Sequence, residues 1–212
     1  MIPGKLIIPK AMSDEEIVER ILKGEKHLYE ILMRKYNSRM FRISMSIIND
    51  DADAEDIMQT AYINAYLQLA SFNKKSSFST WLIRILINES LLHKKKKLRR
   101  EQIINEQPVT GCNTETPLKS LMNKELKTIL EKAVLTLPEK YRLVFVMREI
   151  ENMSTNETME VLNIGESNVK VRLTRAKEML RNELSSQFKS EQLFDFHLIR
   201  CDRVVNFVMD KI

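Results

Sequence analysis

The sequence predicts an all-α protein: two small helical domains joined by a flexible linker, with a short C-terminal helical extension. Three observations lead there. Of 212 residues only four are Gly and five Pro, and none falls between Gly24 and Pro108, so helix breakers are missing across most of the first half. Apolar residues recur at intervals of three and four, which gathers them on one helix face. Two Ser/Glu pairs, Ser13 with Glu16 and Ser154 with Glu157, have the capping-box spacing, in which each side chain satisfies the other's backbone donor at a helix start.

Taken in order, the first domain spans 13–98 and opens at Ser13. Within it DDADAED, residues 50–56, places five carboxylates ahead of apolar Ile57, Met58, Ala61, Ile63 and Leu67, where negative charge complements a helix N-terminus. Paired carboxylates can bind Mg²⁺ or act as acid and base. No phosphate-cradling Gly loop, no nucleophile beside a base and no convergent His or Cys accompanies them, so a solvated or partner-facing helix is expected, with no metal, no cofactor and no catalytic residue. Next, SFNKKSSFS mixes Phe72 and Phe78 with Lys74, Lys75 and small hydroxyls. Flat apolar rings, cations and short hydrogen-bonding groups are what a loop accepting an unstacked base needs, although each Phe taken alone is an ordinary core residue. The helix that follows begins with Trp81, Leu82, Ile85 and Leu86 and ends with six cations in the seven residues Lys94 to Arg100. That end is either a phosphate footprint or a solvated helix terminus.

The linker, 99–121, contains Pro108, Gly111 and Pro117, and the second domain spans 122–186. Pro138 suits the first turn of a helix, Ser154 starts another, and Asn163 and Gly165 tolerate the positive φ of a tight break. The last helix carries Val169, Leu173, Ala176 and Leu180 on one face. Asn168, Lys170, Val171, Arg172, Thr174, Arg175, Lys177 and Arg181 occupy the other. Three short helices with a cationic third one form a helix-turn-helix pattern, which sets one helix into a DNA major groove; a compact three-helix unit without DNA binding is the plainer alternative. Beyond it, 187–212 repeats Val204, Val205, Val208, Met209 and Ile212 at helical spacing. His197 and Cys201 stand four residues apart there, too few ligands for a closed zinc site.

Net charge is +5 at pI about 9.1, but 34 basic and 29 acidic residues make charge segregation more informative than the total. No run of 18 apolar residues offers a membrane span and no signal-peptide core opens the chain, so a cytoplasmic protein with no membrane partner is expected. Cys112 and Cys201 are too few and too isolated for a disulfide framework.

DADAEDIMQTAYINAY resembles the region 2 signature of the extracytoplasmic-function (ECF, group IV) sigma factors of bacterial RNA polymerase. FSTWLIRILIN is similar to their promoter-melting helix, and LPEKYRLVFVMREIENMSTNETMEVLNIGESNVKVRLTRAKEML to their region 4. The resemblance covers about 13–183, with two motifs in the family's order across a linker. It implies a dissociable specificity subunit rather than an enzyme, with core RNA polymerase and promoter DNA as partners and an anti-sigma factor as a further candidate. It assigns Asp53, Glu55, Asp56 and Gln59 to the clamp helices of the polymerase largest subunit. To the minus-10 element it assigns Phe72, Lys74, Lys75, Ser76, Phe78, Trp81, Arg84 and Asn88, and to the minus-35 element Asn168, Lys170, Val171, Arg172, Thr174, Arg175 and Lys177. Three departures stand out: Thr158 and Met159 replace a usual Ile-Ala pair, Lys74 and Lys75 fill loop positions often held by Gly or Asp, and Val171 and Asn168 replace a common polar residue and a common Thr. The rival readings are a ligand- or phosphorylation-controlled DNA-binding regulator and a metal-dependent nucleic-acid enzyme using Asp50 to Asp56.

Overall fold

The computed structural model describes residues 12–104, 121–187 and Met209. Among these every regular element is helical. Helix α1 (Asp14–Leu22) starts at the expected capping box: the Glu16 N–H donates to Ser13 Oγ at 3.2 Å and the Ser13 N–H to Glu16 Oε2 at 2.9 Å. A short 3-10 turn leads into α2 (Tyr29–Ile48), which ends because Asn49 turns left-handed at φ 55°, a conformation Asn tolerates better than most residues. Asp50 then caps α3 (Asp51–Leu67), accepting from the Asp53 N–H at 2.9 Å. A loop separates α3 from α4 (Phe78–Ile104), a 27-residue helix.

The first domain closes around α2, α3 and α4. Leu32, Met40 and Ile43 of α2, Ile57 of α3 and Leu82, Ile83 and Leu86 of α4 are almost wholly buried, each contributing roughly 1.5 to 3 kcal/mol of hydrophobic stabilisation. Ala54, Ala61 and Ala65 turn the inner face of α3 into a low ridge, so α4 lies close along it. The buried Tyr29 hydroxyl donates to the Tyr62 carbonyl at 2.8 Å, as buried phenols generally do, whereas the buried Ser44 hydroxyl has no partner.

The second domain consists of α5 (Leu121–Thr136), α6 (Glu139–Phe145), α7 (Thr155–Leu162) and α8 (Glu166–Gln187). Pro138 lies one residue outside α6 as its N-cap, not inside its first turn. Past Phe145 the coil widens into a π turn, Val146–Ile150, closed by the Glu151 N–H on the Val146 carbonyl at 2.9 Å. Ser154 and Glu157 cap α7 reciprocally. The break before α8 uses one left-handed residue, Asn163 at φ 51°. Gly165, expected to share that task, has no positive φ, because one αL residue already ends α7. Thr158 is fully buried with its hydroxyl on the Ser154 carbonyl at 2.8 Å, while Met159 is only half-buried. The helix crossing is therefore filled by Thr158, and the thioether lies at its margin.

The two domains touch. Helix α6 packs on α2 and α7 on α4, and the buried apolar cluster runs from one domain into the other. The Arg142 guanidinium lies buried at this junction and donates from Nε to the Ser46 carbonyl of α2 at 2.6 Å and from Nη1 to the Leu135 carbonyl of α5 at 2.7 Å. Both acceptors belong to the last turn of a helix, where carbonyls lack intrahelical partners and the dipole favours a cation. Most of the expected linker, with Pro108, Gly111 and Pro117, lies outside the described residues. So does the extension with His197 and Cys201, apart from Met209, which is helical and exposed.

Candidate nucleic-acid and protein interfaces

A groove of about 440 Å³ runs between α2 and α3, lined by Asn37, Ser38, Phe41, Glu55, Met58, Gln59 and Tyr62. Its walls combine apolar Phe41 and Met58 with a carboxylate and four amide or hydroxyl groups, which suits a polar helix better than a small ligand. Of the four residues expected on a polymerase surface, Glu55 and Gln59 line this groove and Asp56 is exposed on the same helix. Asp53 points elsewhere. Its carboxylate meets Lys97 Nζ at 2.7 Å and His93 Nε2 at 3.6 Å, both on α4, so it ties α3 to α4. Phe41 was not picked out from sequence and Met58 only as one of an apolar run, since nothing in the periodicity separates groove hydrophobes from core ones.

In the loop before α4, Lys74 adopts φ 59°, a left-handed conformation at one of the positions often held by Gly. A non-Gly residue there costs roughly 1–2 kcal/mol. Its ammonium pairs with Glu19, which holds that carboxyl below its usual value through the hydrogen bond and the charge. Lys75 is exposed and Ser76 half-buried. Phe72 and Phe78 are 8% and 1% exposed. They pack edge-to-face on each other at 5.6 Å and against Trp81 at 5.4 and 5.7 Å. In this conformation the two Phe rings hold up the loop from beneath and offer no open stacking face; half-buried Trp81 is the ring nearest solvent.

The outward side of α4 meets the second domain. Arg84 Nη2 donates to both the Glu160 carbonyl, at 3.0 Å, and its carboxylate, at 2.9 Å, while Thr80 Oγ1 reaches Glu157 at 3.5 Å. Asn88 stays exposed. Farther along, Lys94 pairs with Glu139. Burial opposes the charged form of Glu157, but hydrogen bonds from the Ser154 backbone and hydroxyl, with Arg39 and Thr80 adding to them, hold its pKa below the usual carboxylate value. On α2, Arg39 and Arg42 both grip Glu151. Arg39 Nε lies 3.1 Å from the carboxylate and its Nη2 2.7 Å from the Glu151 carbonyl, and Arg42 adds two further bonds. That carboxylate is 3% exposed. These pairs join residues more than 100 positions apart in sequence, out of reach of any local pattern.

Helix α8 turns Val169, Ala176 and Leu180 inward and leaves Leu173 half-buried, as its spacing predicts. Asn168, Lys170, Val171, Thr174, Arg175 and Lys177 face out and Arg172 is half-buried. Val171 is 48% exposed, an apolar patch among cations. Two cations are held by neighbours, Lys170 by Glu166 at 2.6 Å and Lys177 by Glu149 at 2.9 Å. Arg175 Nη1 lies 3.3 Å from the Tyr141 hydroxyl. Among the described residues no group of three or more His, Cys, Asp or Glu could hold a metal, and no helix is long and apolar enough to cross a membrane.

Comparison with known proteins follows the same division. Residues 32–100 match the Sigma-70 region 2 family and residues 127–180 the Sigma-70, region 4 family. The chain is 30% identical over 178 residues to the ECF RNA polymerase sigma factor SigW of Bacillus subtilis, covering 79% of this chain and 94% of that one. It is 28% identical over 183 residues to the RNA polymerase sigma-H factor of Pseudomonas aeruginosa, covering 81% and 93%. Among solved structures, the fold is similar to the sigma factor RpoE of Bartonella quintana, seen in complex with the anti-sigma factor NepR, with a TM-score of 0.64 at 20% identity over 74% of this chain and 96% of that one. It is also similar to CnrH, seen in complex with the cytosolic domain of CnrY, with a TM-score of 0.61 at 20% identity over 82% and 99%. With both family matches in order and a 30% identical relative aligned over nearly its whole length, the chain belongs to the ECF family of RNA polymerase sigma factors, which direct promoter-specific transcription initiation.

Proposed function

We propose that this sigma factor acts as a non-catalytic specificity subunit through three surfaces. The α2–α3 groove, with Glu55 and Gln59 in its wall and Asp56 beside it, receives the clamp helices of the polymerase largest subunit. Asp53 contributes by fixing α3 against α4 rather than by contact. The loop of Lys74, Lys75 and Ser76, with Trp81, Arg84 and Asn88 of α4, takes the opened minus-10 strand, while Phe72 and Phe78 set the loop's height. On α8, Arg175 forks onto guanine, Val171 and Thr174 meet thymine methyls, Lys170 grips phosphate, and Asn168, Arg172 and Lys177 position the helix on the backbone. The work is done in the cytoplasm, where the polymerase is, and an anti-sigma factor of the kind bound to RpoE and CnrH is the expected regulator.

One observation carries the promoter-reading part: α8 buries Val169, Ala176 and Leu180 and thereby presents Lys170, Val171, Thr174 and Arg175 together on its open side. The test is reconstitution of the purified chain with core polymerase and a promoter library. The holoenzyme is expected to start at a defined promoter class that core alone ignores. Co-purification failure, or unchanged start sites, overturns the reading, and turnover of DNA by the chain alone with Mg²⁺ would favour the metal-dependent enzyme instead.

A further inference from the structure

Around its apolar centre and the buried Arg142, the seam between the two domains carries ion pairs of one sense. In the pairs Arg39–Glu151, Arg42–Glu151, Arg84–Glu160 and Lys94–Glu139, the first domain supplies the cation every time and the second domain the carboxylate. A packing interface needs no such asymmetry. It is what results when a polyanion-binding surface is covered by part of its own chain. The cations lie on two adjacent helices, and Arg84 and Lys94 are separated along α4 by about 15 Å. Arg39, Arg42, Arg84 and Lys94 keep between about a third and a half of their side-chain surface in water, so they are placed to exchange partners without crossing a dry core. Arg39 and Arg42 have no role in the three surfaces above, yet Arg84 belongs to the strand-opening face.

We propose that Arg39 and Arg42 of α2, with Arg84 and Lys94 of α4, form one phosphate-binding surface for single-stranded DNA, and that Glu151, Glu160 and Glu139 occupy it while the chain is closed. This rests on the reading of α4 as the face that receives the opened strand, and it extends that face across to α2. Strand and second domain then compete for the same four cations. A row of cations on two packed helices suits one backbone tracked by charge, and the duplex is the contrasting arm of the test. Opening the seam and loading the strand become a single exchange of carboxylate for phosphate.

The test uses the full chain without polymerase and a fluorescein-labelled thymidine 15-mer, followed by anisotropy against salt. Wild type is expected to bind weakly, and Glu151→Gln with Glu160→Gln about tenfold more tightly. Adding Arg39→Gln and Arg42→Gln to that variant should abolish the gain and reduce the salt slope by about 1.4, two contacts at about 0.7 each. Glu160→Gln alone, at a half-exposed site that leaves the core intact, should give a smaller gain that Arg84→Gln removes. No gain in either acidic variant, or a gain that survives loss of the arginines, overturns the proposal; an equal gain for the duplex 15-mer overturns its single-strand assignment. Promoter-specific initiation by the wild-type holoenzyme is measured alongside. Its absence would sink the functional reading, whereas initiation without the expected binding gain sinks only this surface.

Discussion

Arg142 is where the junction of the two domains is most exposed to a single change. Substituting Arg142→Met keeps the length and apolar stem of the side chain but deletes the bonds to the Ser46 and Leu135 carbonyls, 2.6 and 2.7 Å long. Each buried carbonyl left without a donor costs about 1–3 kcal/mol. Against this, burial lowers the Arg142 pKa from its ordinary value, which means that the charge itself is held at an expense the Met variant no longer bears. The balance is a loss of about 2–3 kcal/mol, which for a chain of this size lowers Tm by roughly 4–12 °C. Arg142→Lys should recover less than half, because a single ammonium cannot span two carbonyls on different helices as the guanidinium fork does. Urea and thermal unfolding of the full chain, followed by circular dichroism, measure both variants. A Met variant within about 0.5 kcal/mol of wild type, or a Lys variant equal to wild type, would refute the idea that this group joins α2 to α5 by capping both ends.

Reversing charge in the groove by Glu55→Arg should reduce holoenzyme formation about tenfold or more while leaving Tm within about 2 °C, since the residue is exposed; competition binding to core polymerase checks this. Arg175→Ala should cost about 1–3 kcal/mol at one position of the minus-35 element and little elsewhere, whereas Lys170→Ala should weaken all promoters alike, and a promoter-variant panel assayed by footprinting separates them. Because the folded pKa of Glu157 lies below its ordinary value, its contribution to stability is fully present above the unfolded pKa of 4.5 and is lost as pH falls through the folded value. Stability between pH 6 and pH 3 should therefore decline less steeply in Glu157→Gln than in wild type, read as the difference in Tm across that range.

The parts legible in the sequence are those set by neighbours along the chain. Ser13 and Ser154 cap helices because their partners stand three residues away, and the inward stripe of α8 follows from spacing alone. Asn163 and Gly165 show the limit, since both tolerate a left-handed turn but only one is used, and which one depends on how α7 ends. The resemblance grouped Asp53 with Glu55 and Gln59, but Glu55 and Gln59 line a groove while Asp53 faces α4, a matter of helix rotation that charge counting does not resolve. Phe72 and Phe78 read singly as core and together with the loop's cations as stacking surfaces, and their packing against Trp81 is a contact between rings that residue type alone does not specify. The seam held by Arg39, Arg42 and Glu151 was invisible, because its members are more than 100 residues apart and none belongs to a short motif.

The widened turn at Val146–Ile150 has a consequence for how such chains tolerate insertions and deletions. A π turn fits one more residue into the space of an α turn, so removing any one of those five would let the coil tighten and swing everything after it by about 100°. Glu151 would then leave its two arginines, and α8, which packs on α6 ahead of that turn, would lose part of its seat as well. Length at this one spot thus sets two things together, how firmly the halves hold each other and how the third helix of the downstream unit is seated.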